Sequence, residues 1–149
     1  MTAQRCEFGE DVTTPYGDSY RYTSLANKRF ISLTSQDQAD VLFKDCTILV
    51  DDIRVSNNYT GKSLSLPGIR ELKGQLATEQ SGITELILDD LAFANVVRLD
   101  SYEDEVYLST FSAPKLTIVQ NIVIEQVNAS ILLPSLTSIG VLQLGDIRR

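Results

Sequence analysis

A repeat limits this chain more than any other feature. Asp45, Pro67, Asp89, Pro114 and Pro134 stand 22, 22, 25 and 20 residues apart. Two residues after these anchors come Thr47, Ile69, Leu91, Leu116 and Leu136; five after come Val50, Leu72, Ala94, Val119 and Ile139. Eight residues after are Ile53, Gln75, Val97, Ile122 and Leu142, and ten after are Val55, Ala77, Leu99, Ile124 and Leu144. Of these twenty positions only Thr47 and Gln75 are polar. Leu76 follows Gln75, so a slip of one residue in that repeat would restore the pattern. The last two columns skip one residue, as side chains on one face of a strand must.

A unit of this length has one apolar side and cannot bury it alone; stacked units bury a continuous column. The asparagine position of a leucine-rich horseshoe is missing. The expected fold is therefore mainly β, a right-handed parallel β-helix or solenoid of about five turns, one for each anchor. Residues 1–28 read as an irregular arm carrying Tyr16, Tyr20 and Tyr22, and 29–149 as the solenoid domain. The first turn needs a cap over its apolar end and unpaired backbone. Ser35 and Gln38 have capping-box spacing, followed by Ala39, Leu42, Phe43 and Cys46 at helical intervals. A capping helix over about 36–44 is predicted, with repeats from about 45. No cap is visible after Leu144: either the last turn caps itself through the charges of Asp146, Arg148 and Arg149, or the natural protein continues, and an uncapped end is also a candidate surface for homo-oligomers.

Composition removes several function classes. The chain has no histidine, which excludes Ser-His-Asp and Cys-His catalysis and the common histidine zinc sites. Two cysteines are too few for a structural zinc site. The net charge of −7, with no basic run, argues against nucleic acid as a partner. No apolar run is long enough to span a membrane. Neither a signal peptide nor a lipid-anchor signal is expected in residues 1–149. No catalytic residue, metal or cofactor is assigned.

The stretch 31–48, ISLTSQDQADVLFKDCTI, resembles the start of the fungal L-domain-like cell-wall proteins. These are GPI-anchored relatives of the receptor L-domain, linked to wall organisation and sporulation. Residues 51–55, DDIRV, follow that family's G-D-I-x-I with Asp51 in place of glycine. LSLPGIRELKG at 64–74 and PSLTSIG at 134–140 resemble its later segments, so the likeness covers roughly 30–145. It implies a non-catalytic, secreted module at the cell wall or surface, with a wall polysaccharide or a surface protein as partner. The family has cysteines near both positions, so the resemblance implies a Cys6–Cys46 disulfide; two unrelated thiols, with Cys46 a small buried hydrophobe, are the plain alternative.

Asn58-Tyr-Thr60 and Asn128-Ala-Ser130 fit the N-glycosylation sequon and would be used only on a secreted chain. Tyr102, Glu103, Asp104, Glu105 and Tyr107 fall in the longest repeat, where a bulging loop could bind a sugar or a basic partner, although a plain surface loop is the simpler reading. Asp51-Asp52 and Asp89-Asp90 invite comparison with β-helix carbohydrate-active enzymes. Adjacent strand residues face opposite ways, so neither pair alone supplies the facing carboxylates a glycosidase needs; solvated turn residues are the simpler reading. The alternatives to a binding module are thus such an enzyme, or a cytosolic interaction module without a leader.

Overall fold

The computed structural model describes residues 4–7, 11–13, 19–25, 28–78, 82–100, 108–125 and 130–144. The elements in order are β1 (Arg5–Cys6), β2 (Asp11–Thr13), β3 (Ser19–Leu25), β4 (Lys28–Ser35), α1 (Gln36–Leu42), β5 (Ile48–Leu49), β6 (Asp52–Thr60), β7 (Ser63–Ser65), β8 (Glu71–Ala77), β9 (Glu85–Ile87), β10 (Phe93–Asp100), β11 (Thr110–Ser112), β12 (Ile118–Glu125), β13 (Ser130–Leu132) and β14 (Ser138–Leu144). They form a β-solenoid of two parallel stacks. The large sheet runs β14-β12-β10-β8-β6-β4-β3-β2 and the small one β13-β11-β9-β7. Pairing is parallel except where β3 joins β4 and β2 joins β3.

The core lies between the two stacks. Ile69, Leu91 and Leu116 form one buried column, Leu72, Ala94 and Val119 the next, and Leu64, Leu86 and Phe111 a third on the small sheet. Each residue sits on its counterpart in the preceding turn, so burial is completed only by a neighbour.

Both polar exceptions in the repeat are register slips. In the first turn Cys46 and Leu49 take the buried columns, and Leu49 pairs with Leu72. Thr47 moves outward, where its carbonyl accepts the backbone N–H groups of Arg70 and Glu71. In the next turn Ala94 pairs with Leu72 but Val96 pairs with Gln75, so β8 holds one extra residue at Lys73–Gly74. Leu76, fully buried, then stands beside Val97 in place of Gln75. Thr78 takes the following column and is 1% exposed, the only buried polar residue among those described. Its N–H donates to Arg98 O. Gly74 permits this bulge, because a Cβ there would lie 2.5 Å from Asp51 O.

The expectation of about five turns is corrected to about four, with β14 starting a further one. The difference arises because the last anchor, Pro134, is followed among the described residues by β14 alone, while the first, Asp45, stands at the corner between α1 and β5. Asp45 has φ 66 there, as Gly68 has φ 84 at the next corner. The helix ends at Leu42, two residues earlier than expected, and Phe43 N closes it on Ala39 O. The stretch read as an irregular arm contains β1, β2 and β3. These short polar strands show no periodicity of their own. They form because the first turn offers open edges: β1 pairs with β5, and β3 covers β4.

Candidate functional site

The described residues present four regions that could act: the corners, the N-terminal cap, the outer face of the large sheet, and the C-terminal end.

At the corners, polar side chains tie each turn to its neighbour. Ala92 O accepts from the backbone N–H groups of Thr117 and Ile118, and from the Thr117 hydroxyl at 3.1 Å. Thr137 repeats this on Thr117 O, and Ser109 on Thr84 O. Asp90 spans three turns, accepting from Gly68 N at 2.9 Å and from Lys115 Nζ at 3.1 Å. The Gly68 N–H, and then Lys115, hold its carboxyl below the ordinary value. A groove of about 650 Å³ lies beside this ladder, lined by Gln4, Thr47, Gly68, Arg70 and Asp90 among others. A smaller one of about 400 Å³ lies between Asp40, Lys44 and Ser65.

The aspartate pairs are more than solvated turn residues. Asp52 lies in β6, and its Oδ1 accepts from Gln75 N at 2.7 Å, which secures the bulge in β8. Asp90 is the corner acceptor just described. The pairs are therefore used separately, one in a strand and one in a corner. Among the described residues no three of His, Cys, Asp and Glu converge as metal ligands would.

At the N-terminal end, side chains that imitate a strand occupy the edge of β7. The Gln36 amide donates from Nε2 to Ser65 O and accepts from Ser65 N through Oε1, both at 2.8 Å. It thus occupies the edge of β7 as a neighbouring peptide would. Tyr59, 8% exposed, donates its hydroxyl to Ser63 O on the same edge. Burial, and then the charges of Asp40 and Asp37, push its phenol up to about 12. Ser35 caps α1 by accepting from Gln38 N, as expected. The Gln38 side chain reaches back one residue farther than a capping box requires and accepts from Thr34 N at 2.9 Å. Cys6 and Cys46 are joined in a disulfide, which fixes β1 beside β5.

Asn58 is exposed on β6, and Thr60 is exposed two residues on. Asn128 and the loop residues Tyr102, Glu103, Asp104, Glu105 and Tyr107 lie outside the described residues.

The outer face of the large sheet is the region that the sequence reading missed. It counted inward columns only. Phe93 and Ile118 pair in register on the outward side, as do Arg98 and Val123. Phe93, Val96 and Val123 are half-buried, and Ile118 is 39% exposed. The signal was the unbroken apolar runs 96–97 and 122–124, where an outward residue should be polar. Arg54 borders this face, its guanidinium 4.3 Å from the Phe30 ring centre. The single helix among the described residues packs on β4 and β7, away from β10 and β12.

Among the described residues no strand pairs with the outer edge of β14. Ile139 and Leu142 occupy the columns of Val119 and Ile122, which are 0% and 2% exposed, yet are themselves 40% and 52% exposed. Val141 is 55% and Leu132 50% exposed.

These features define a β-solenoid whose large sheet, at β10 and β12, carries no helix among the described residues. No protein-family model matches the chain, and neither does any curated protein or solved structure. No helix among the described residues is long and apolar enough to cross a membrane.

Proposed function

We propose that the protein is a non-catalytic extracellular binding module of the fungal L-domain-like kind. It presents the outer face of its large sheet to a wall polymer or to a surface protein. The observation that carries this reading is the outward pair Phe93 and Ile118 on β10 and β12, with Val96 beside Asn121 and Val123 beside Arg98 farther along the same strands. Parallel sheets usually carry helices over both faces. A sheet face that mixes apolar side chains with Asn121 and Arg98 is a ready surface for an extended partner, and Phe93 gives it an aromatic anchor. The Cys6–Cys46 bridge and the exposed Asn58 sequon support an oxidising, secretory route. The lack of histidine anywhere in the chain supports binding over catalysis.

Co-sedimentation with particulate β-glucan, chitin and whole fungal walls tests the reading. The protein is expected in the pellet of at least one. Phe93→Ser with Ile118→Ser should weaken binding by about tenfold, the loss of one anchoring side chain. Retention by walls stripped of polysaccharide would assign a protein partner. A protein that stays in every supernatant, or turnover of a polymer, would overturn the proposal.

A further inference from the structure

The strand that carries Asn58 is not a regular one. β6 follows β4 in register as far as Val55, which pairs with Leu33, and the next pair joins Thr60 to Ser35. Two steps along β4 thus match five along β6, so β6 holds three extra residues before Thr60. Extra residues leave the ladder and bulge from the sheet. Ser56 Oγ steadies this bulge by accepting from Asn58 N at 3.1 Å. Tyr59 turns inward, and its hydroxyl donates to Ser63 O across the corner. Asn58 and Thr60, on either side of it, are both exposed. Among the described residues the Asn58 carboxamide has no hydrogen-bond partner. The corner beyond is open as well: Gly61 and Lys62 are exposed, and a Cβ on Gly61 would meet nothing within 4 Å.

We propose that Asn58 is the attachment point of an N-linked glycan. This rests on the secretory route proposed above, since the sequon is used only on a chain that enters it. The co-reactant is an oligosaccharide carried on a lipid diphosphate. The Asn58 carboxamide nitrogen forms a bond to the anomeric carbon of the first sugar and gives up one proton. The bond from that carbon to the diphosphate oxygen breaks, and its electron pair leaves with the lipid diphosphate. The motif alone marks Asn58 and Asn128 alike. At Asn58 the fold adds room: the bulge lifts the carboxamide off the ladder, Tyr59 anchors the strand beneath it, and a bulky group meets solvent at the corner before β7. β8 lies between β6 and β10 in the large sheet, so the sugar starts away from Phe93 and Ile118.

Expression of the full chain behind a supplied secretory leader in a yeast host tests the site. Peptide-N-glycosidase converts a glycosylated asparagine to aspartate, and peptide mass spectrometry should find that conversion at position 58. Asn58→Gln should remove one glycan from the intact mass. Thr60→Ala should do the same, and Thr60→Ser should keep the glycan, because the motif needs the hydroxyl. Secreted and cell-retained protein are both read, so a variant that folds poorly still reports. An unmodified Asn58 on protein whose leader has been removed overturns the inference, whatever that protein binds. A glycan mass that Asn58→Gln leaves unchanged overturns it too, and assigns the modification to another residue. A glycan at position 58 on a protein that sediments with no wall overturns the functional reading and leaves the site standing.

Discussion

Single residues at the solenoid edges carry pH signatures of opposite sign. The phenol of Tyr59 is held up to about 12 against an ordinary 10.0. A raised folded value means that its stabilisation is complete below 10 and is lost as the pH rises toward 12. Tyr59→Phe should cost about 1 kcal/mol near neutrality, the loss of the bond to Ser63 O. Between pH 10 and 12 the variant should lose less stability than the parent, as denaturant midpoints would show; parallel curves would refute the assignment. Asp90 works the other way. Its folded value is depressed, so its contribution is complete above the ordinary 3.8 and is lost as the pH falls through the lower folded value. Asp90→Ala should cost about 1 kcal/mol at neutral pH, and the gap to the parent should close in acid. A gap that persists under acid would assign the loss to packing instead.

At the level of elements, the bulge in β8 is the point where the regular stack is adjusted. Gly74→Ala would press a methyl group against Asp51 O and the Asp52 carboxylate, both backed by β6. A loss of about 1–3 kcal/mol is expected in a urea titration, and a neutral result would show that β6 can yield. The slip beside Gln75 was legible because Leu76 stood next to it. The slip at Thr47 was not read, because Cys46 is also apolar and either neighbour could have filled the column. The helix was legible from Ser35, Gln38 and the apolar spacing after them. The amide clamp of Gln36 was not, since nothing local marks a glutamine that imitates a peptide. Two strands of the arm were missed for a similar reason: Arg5-Cys6 and Asp11–Thr13 are too short to show a period, and the edge that β1 fills is set by Ile48 and Leu49, more than forty positions away.

For the whole molecule, the bridge between Cys6 and Cys46 spans 40 residues and closes the entire cap into one loop. In the chain-entropy model it contributes about 3–4 kcal/mol. Cys6→Ser should lower the unfolding midpoint by that amount in free energy, and a fall under about 1 kcal/mol would show that the cap holds without it. The repeat predicted the solenoid, since five anchors with their following columns leave few other ways to bury so many apolar residues. It did not predict the surfaces. The apolar residues of the outer face and of β14 share their types with the core, and only pairing tells which of them a neighbour covers.

The corner ladder has a direction. Hydroxyls of Thr47, Thr84, Ser109, Thr117 and Thr137, and the amide of Asn95, all donate to carbonyls of the segment before them: Gln4, Lys62, Thr84, Ala92, Thr117 and Lys73 respectively. Each new turn thus brings its side-chain donors to acceptors that are already in place, while some backbone donors reach forward: Leu88 N to Ser112 O, Ala113 N to Leu132 O, and Gly68 N to the Asp90 carboxylate. Synthesis delivers the chain in that same order, N-terminus first. The capped end can act as a template on the ribosome, and the side-chain ties of a turn can close as it emerges, while donors such as Leu88 N and the apolar columns wait for the next turn.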